Sequence, residues 1–203
     1  MKGKKKVILT VLCAVLLVVG SVLGTMAYLT STTATANNTF TVGNVAITLD
    51  EAKVNDDGSV VTGSDAGRVT ANTYKLIPGH TYTKDPTIHV ASGSEACWLF
   101  VKVENGIADI EANGVNDNTI AKQMTANGWT LVSGQNNVYA YRTTVNAGTD
   151  VAVFGSFKIN GNADTSSYQN ASIKITGYAV QADGFSTAAD AWAAAPATWP
   201  TQQ

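Results

Sequence analysis

From Val45 to Val180, apolar side chains return at every second position in short segments, the period of a half-buried β-strand. Val45, Ile47 and Leu49 share one face, with Ala46, Thr48 and Asp50 on the other. Cys97, Leu99, Val101 and Val103 do the same, opposed by Trp98, Phe100, Lys102 and Glu104. Val151, Val153, Gly155, Phe157 and Ile159 form the longest clean face, and Ile173 and Ile175 start another in which Gly177 predicts a bulge before Tyr178 and Val180. Shorter candidates are residues 74–77, 87–91, 128–132 and 138–144. Turn sequences separate them, among them Asn55-Asp56-Asp57-Gly58, Pro78-Gly79, Asn105-Gly106 and Asn160-Gly161-Asn162. Many short strands with no helix alternating between them predict an all-β antiparallel sandwich rather than a doubly wound sheet. Helix is expected at two places only. Residues 118–126 put Ile120 and Met124 on one side, and Ser186 is the expected N-cap of residues 187–195, which Pro196 ends.

The amino terminus obeys different rules. Lys2, Lys4, Lys5 and Lys6 precede an unbroken apolar run, residues 7–24, which Thr25-Met26-Ala27 follows. A basic start, an apolar stretch and a small-x-small end describe a secretory signal peptide, residues 1–27, cut between Ala27 and Tyr28. The competing reading is a retained anchor, since a run of this length can just span a bilayer. Residues 28–203 hold 9 basic and 15 acidic side chains, a net −6, which leaves no basic face for nucleic acid. Cys13 would leave with the signal. Cys97 then stands alone, and its apolar neighbours predict a buried core thiol.

Chemistry-bearing motifs are scarce. His80 follows a Pro-Gly turn and His89 lies between Ile88 and Val90, on the expected outward face of a strand. A zinc reading would have to join them, and two imidazoles fall short of the usual ligand number. Asn55-Asp56-Asp57-Gly58 resembles part of a calcium loop, but Lys53 and Ser64 stand where acids would be needed, which favours a solvated turn. No cofactor, metal ligand set or catalytic residue is assigned.

Four segments nevertheless resemble one family. The Lys-rich start with Gly24-Thr25-Met26-Ala27 is similar to signals removed by a SipW-type signal peptidase. Residues 38–49, NTFTVGNVAITL, resemble the opening strand of the camelysin/TasA family. Leu76-Ile77-Pro78-Gly79 with Lys84-Asp85-Pro86-Thr87-Ile88 is similar to its second motif, and residues 177–185 with Ala191-Trp192 to its carboxyl-terminal one. The resemblance implies a jelly-roll β-sandwich, residues 40–195, exported by a Gram-positive cell to the extracellular matrix or cell surface. It also implies assembly into fibres when an amino-terminal strand of one subunit completes the sheet of the next. Partners would be further copies of the chain, the signal peptidase during export and an accessory surface or matrix protein.

Residues 28–39 suit the donor role. They are rich in Thr, carry no Pro or charge, and place Tyr28, Thr30, Thr32, Ala34 and Ala36 at alternate positions. The alternative for this stretch is a disordered tail left by signal cleavage, as expected for residues 196–203. Two other functions compete with the structural subunit. One is a camelysin-like metallopeptidase built on His80 and His89. The other is a monomeric surface binding domain using Trp129, Tyr139, Tyr141 or Trp199.

Overall fold

The computed structural model describes residues 44–196. The chain divides into two units, Met1–Thr41 and Val42–Gln203, and every described residue belongs to the second. Within it the fold is all-β and antiparallel. One sheet has the order β2 (Arg68–Val69), β1 (Ile47–Ala52), β4 (Thr87–Val90), β8 (Asp150–Ala152). A second runs β10 (Ile173–Gln181), β5 (Cys97–Asn105), β7 (Val138–Tyr141), β6 (Trp129–Leu131). β3 (Thr81–Thr83) and β9 (Ser156–Lys158) make a two-stranded ribbon. The two described helices are α1 (Ile120–Ala126) and α2 (Ala188–Ala193).

The alternation explains the core. Cys97, Leu99, Val101 and Val103 of β5 join Ile88 and Val90 of β4, with Ile47, Leu49, Ile173 and Ile175 packed around them. The opposite face of β5 is covered as well, since Trp98 and Phe100 bury against Ala191 of α2, with Phe185 and Trp192 beside them. β5 is therefore buried on both faces over most of its length. The Cys97 thiol lies wholly inside, and burial raises its pKa above the ordinary thiol value.

Four details depart from the sequence reading. The face from Val151 to Ile159 is two strands in different sheets, β8 pairing with β4 and β9 with β3. The crossing falls at Val153 and Phe154, consecutive and both fully buried, which period 2 cannot accommodate. The Gln123 carboxamide keeps that crossing satisfied: Oε1 accepts from the backbone N–H of Gly155 (2.9 Å) and Ser156 (3.1 Å), and Nε2 donates to Ser156 O (2.8 Å).

Secondly, no bulge occurs at Gly177, because the β10–β5 register runs unbroken from Ile173↔Asn105 to Gln181↔Cys97. A Cβ at Gly177 would stand 3.4 Å from the Cδ1 atoms of both Ile47 and Ile88, in van der Waals contact with the core. Residues 74–77, thirdly, form no strand. Tyr74 and Leu76 pack on the core, while the Tyr82 hydroxyl accepts from Ile77 N–H (2.7 Å) and donates to Lys75 O (2.5 Å), so a side chain replaces the ladder. Lastly, the N-cap of α2 is Thr187 rather than Ser186, because only Thr187 has an acid three residues on, and Asp190 closes the capping box.

Candidate functional site

The two larger sheets meet along two seams of different character. Along one seam, β8 is laced to the β6 side by side chains: Trp129 Nε1 donates to Ala152 O (3.0 Å) and Asn127 Nδ2 to Val153 O (3.1 Å). Along the other, β10 is an edge among the described residues, and β1 has only the short β2 on its outer side. Gly106 N–H donates to Ser172 O and Ala182 N–H to Ala96 O, which fixes the even-numbered residues of β10 as those bonded to β5. The backbone groups of Ile173, Ile175, Gly177, Ala179 and Gln181 then face outward, without a backbone partner among the described residues. The bond from Ala91 N–H to Ala46 O sets the same alternation in β1, so Ile47 and Leu49 present their backbone outward too. β2 covers only Glu51 and Ala52 of that edge.

Between these edges lie two adjoining clefts. One of about 430 Å³ is lined by Leu49 and Glu51 of β1 and by Ile173, Ile175 and Thr176 of β10. The second, about 270 Å³, continues past Tyr74, Leu76, Ile107 and Tyr168. Asn72, Lys84, Ser172 and Ile173 line both.

Their shared floor is polar. Lys84 Nζ donates to Glu51 Oε2 at 2.5 Å, and Asn72 Nδ2 donates to Glu51 Oε1 at 3.0 Å. The Tyr74 ring lies beside this group, its centroid 5.9 Å from Lys84 Nζ and its hydroxyl donating to Thr83 O (3.1 Å). Burial first, and the charge of Glu51 second, raise the Tyr74 phenol well above its ordinary pKa, so it stays a hydrogen-bond donor.

On the outer face of the first sheet, His89 bridges two carboxylates. Its Nε2 lies 2.8 Å from Asp50 Oδ1 and its Nδ1 2.7 Å from Asp150 Oδ1, which ties β4 to both neighbouring strands. Arg68 pairs with the same Asp50 and reaches Asp85 Oδ2 at 3.0 Å. The bonds to Asp50 and then to Asp150 raise the His89 pKa above 6.5, against a smaller desolvation effect. Partial burial alone would raise the Asp50 pKa, but bonds from Arg68 and His89 together hold it below 3.8.

The sign follows. The stabilisation from His89 is complete below its unfolded value of about 6.5 and is lost as pH rises through the higher folded value. Only the imidazolium donates from both nitrogens. Replacing His89 by Ala is therefore expected to lower Tm more at pH 5.5 than at pH 8.5; an equal loss at both would refute the bridge.

The sequence-derived candidates fall in different places. Ala27, Tyr28, Thr30, Thr32, Ala34 and Ala36 lie outside the described residues, as does Trp199. His80 and His89 belong to separate networks, because His80 Nε2 meets Asp57 O at 2.7 Å and its ring packs edge-on to Tyr82. Among the described residues no three His, Cys, Asp or Glu side chains converge as a metal site. The Asp57 carboxylate accepts from both the N–H and hydroxyl of Ser59, within the turn. Trp129 is no surface aromatic but a buried core residue, 5.2 Å from the half-buried Tyr141. The Lys84–Glu51–Asn72 group and the His89 bridge were missed, because each joins residues far apart in sequence. No helix among the described residues is long and apolar enough to cross a membrane. No family model, curated protein or solved structure matches the chain.

Proposed function

We propose that the chain is a secreted structural subunit that polymerises into extracellular matrix fibres by donating an amino-terminal strand to a neighbouring copy. In this reading the sandwich is a jelly roll, a SipW-type peptidase cuts after Ala27, and residues 28–39 are the donor. The observation that carries the proposal is the seam that the described residues leave open. β10 turns the backbone groups of Ile173, Ile175, Gly177, Ala179 and Gln181 outward, and its first half lies beside a cleft where Leu49, Ile173 and Ile175 alternate with polar side chains. An added strand gains main-chain bonds there, and alternate side chains such as Ala34 and Ala36 set its register against the cleft.

Deleting residues 28–39 while keeping the signal is expected to leave a folded, soluble monomer without fibres. Regular fibres at the wild-type rate from the truncated protein would refute strand donation. Charge adds a second expectation. Subunits of net −6 repel one another, and salt shortens that repulsion to about 8–10 Å at physiological strength. Fibre growth should accelerate from low to physiological ionic strength, as followed by light scattering; growth indifferent to salt would remove electrostatics from the assembly step.

A further inference from the structure

Both oxygens of the Glu51 carboxylate are engaged in the interior, one by an amine and the other by a carboxamide. Oε2 accepts from Lys84 Nζ at 2.5 Å and Oε1 from Asn72 Nδ2 at 3.0 Å. A potential nucleophile and a potential acyl group are thereby held on one proton carrier. Glu51 is 4% and Lys84 7% exposed, so the amine and its carboxylate are buried, while the Asn72 amide beside them is partly buried. The amide is oriented too. Asn72 Oδ1 accepts from Val54 N–H at 3.0 Å, which puts a backbone donor where negative charge would gather on that oxygen. Asn72 Nδ2 also donates to Ala52 O at 2.9 Å, which fixes which end is nitrogen.

We propose that Lys84 and Asn72 join in an intramolecular isopeptide bond, with Glu51 as the proton carrier. Glu51 takes a proton from the Lys84 ammonium, and the neutral Nζ attacks Asn72 Cγ. The tetrahedral species that results places its oxyanion on Val54 N–H. Glu51 passes its proton to the departing Nδ2 and receives one from Nζ. The Nζ–Cγ bond has then formed, the Cγ–Nδ2 bond has broken, and ammonia leaves. The remaining proton stays on Glu51 until solvent removes it. Nothing is oxidised or reduced, and no further reactant is needed. The bond closes residues 72–84 into a covalent ring that forms one wall of the clefts at the open seam.

Mass spectrometry of tryptic peptides from the folded, then denatured, protein tests the proposal. Residues 69–75 should appear joined to residues 76–102, uncut after Lys84, and lighter by one ammonia than the two linear peptides together. The Asn72→Asp variant should form the same branch with loss of one water, and Glu51→Gln, which keeps the shape, should yield unbranched 69–75 and, because trypsin then cuts after Lys84, separate 76–84 and 85–102. If Glu51→Gln fails to fold, the contrast of ammonia against water in the other two proteins still decides. Unbranched 69–75 recovered in full from folded wild-type protein would overturn the bond. Undiminished branching in folded Glu51→Gln would overturn the role of Glu51.

Discussion

Relative to the chain in which Lys84 and Asn72 are not yet joined, replacing Lys84 by alanine is expected to lower the unfolding free energy by about 3–5 kcal/mol, the cost of removing one partner from a buried ion pair. Glu51 would be left inside with Asn72 as its one side-chain donor. The damage comes from the stranded carboxylate rather than from a lost attraction. A double variant, Lys84→Met with Glu51→Leu, should therefore recover most of the loss, because no charge is left to bury. Urea unfolding of the three proteins measures both effects. A single variant within about 1 kcal/mol of wild type, the range of exposed pairs, would show that water reaches this floor.

Gly58→Ala is the second large change. Its φ of +79° already disfavours any side chain. The new Cβ would also lie 2.7–2.9 Å from Cδ1, Cα and Cβ of Tyr82. Tyr82 cannot yield, since it is fully buried and stacked on Phe157 with ring centroids 4.9 Å apart. Backbone strain and overpacking together should cost about 3 kcal/mol or more. Gly134→Ala supplies the control, because Gly134 has the same φ of +79° but nothing within 4 Å of the added carbon. Its loss should stay near about 1 kcal/mol. Equal losses at the two glycines would show that conformation alone, not contact with Tyr82, sets the cost.

The all-β class was legible because alternation is a local property, and β1, β4, β5 and β10 each carry it. What escaped depends on contacts distant in sequence. β2 and β3 are two and three residues long, too short for any period to show. The break between β8 and β9 follows from Gln123, whose side chain satisfies a crossing some thirty residues later. The sequence places Trp98 and Phe100 opposite the Cys97 face of a buried strand, but not what covers them; α2, far along the chain, does so and makes a second core. The polar floor was invisible for the same reason: Glu51 comes from β1, Asn72 from the loop after β2, and Lys84 from the link into β4.

Strand donation at the open seam can be tested by disabling the edge without unfolding the sheet. The backbone N–H of Ala179 faces away from β5, so Ala179→Pro removes an outward donor while leaving the β10–β5 bonds in place. Electron microscopy of the mature chain starting at Tyr28, with and without this substitution, is the direct measurement. The expected result is long regular fibres from the unsubstituted chain and dispersed monomers from Ala179→Pro, with matching far-ultraviolet circular dichroism. Regular fibres from both proteins, or dispersed monomers from both under all salt conditions, would contradict assembly through the β10 edge.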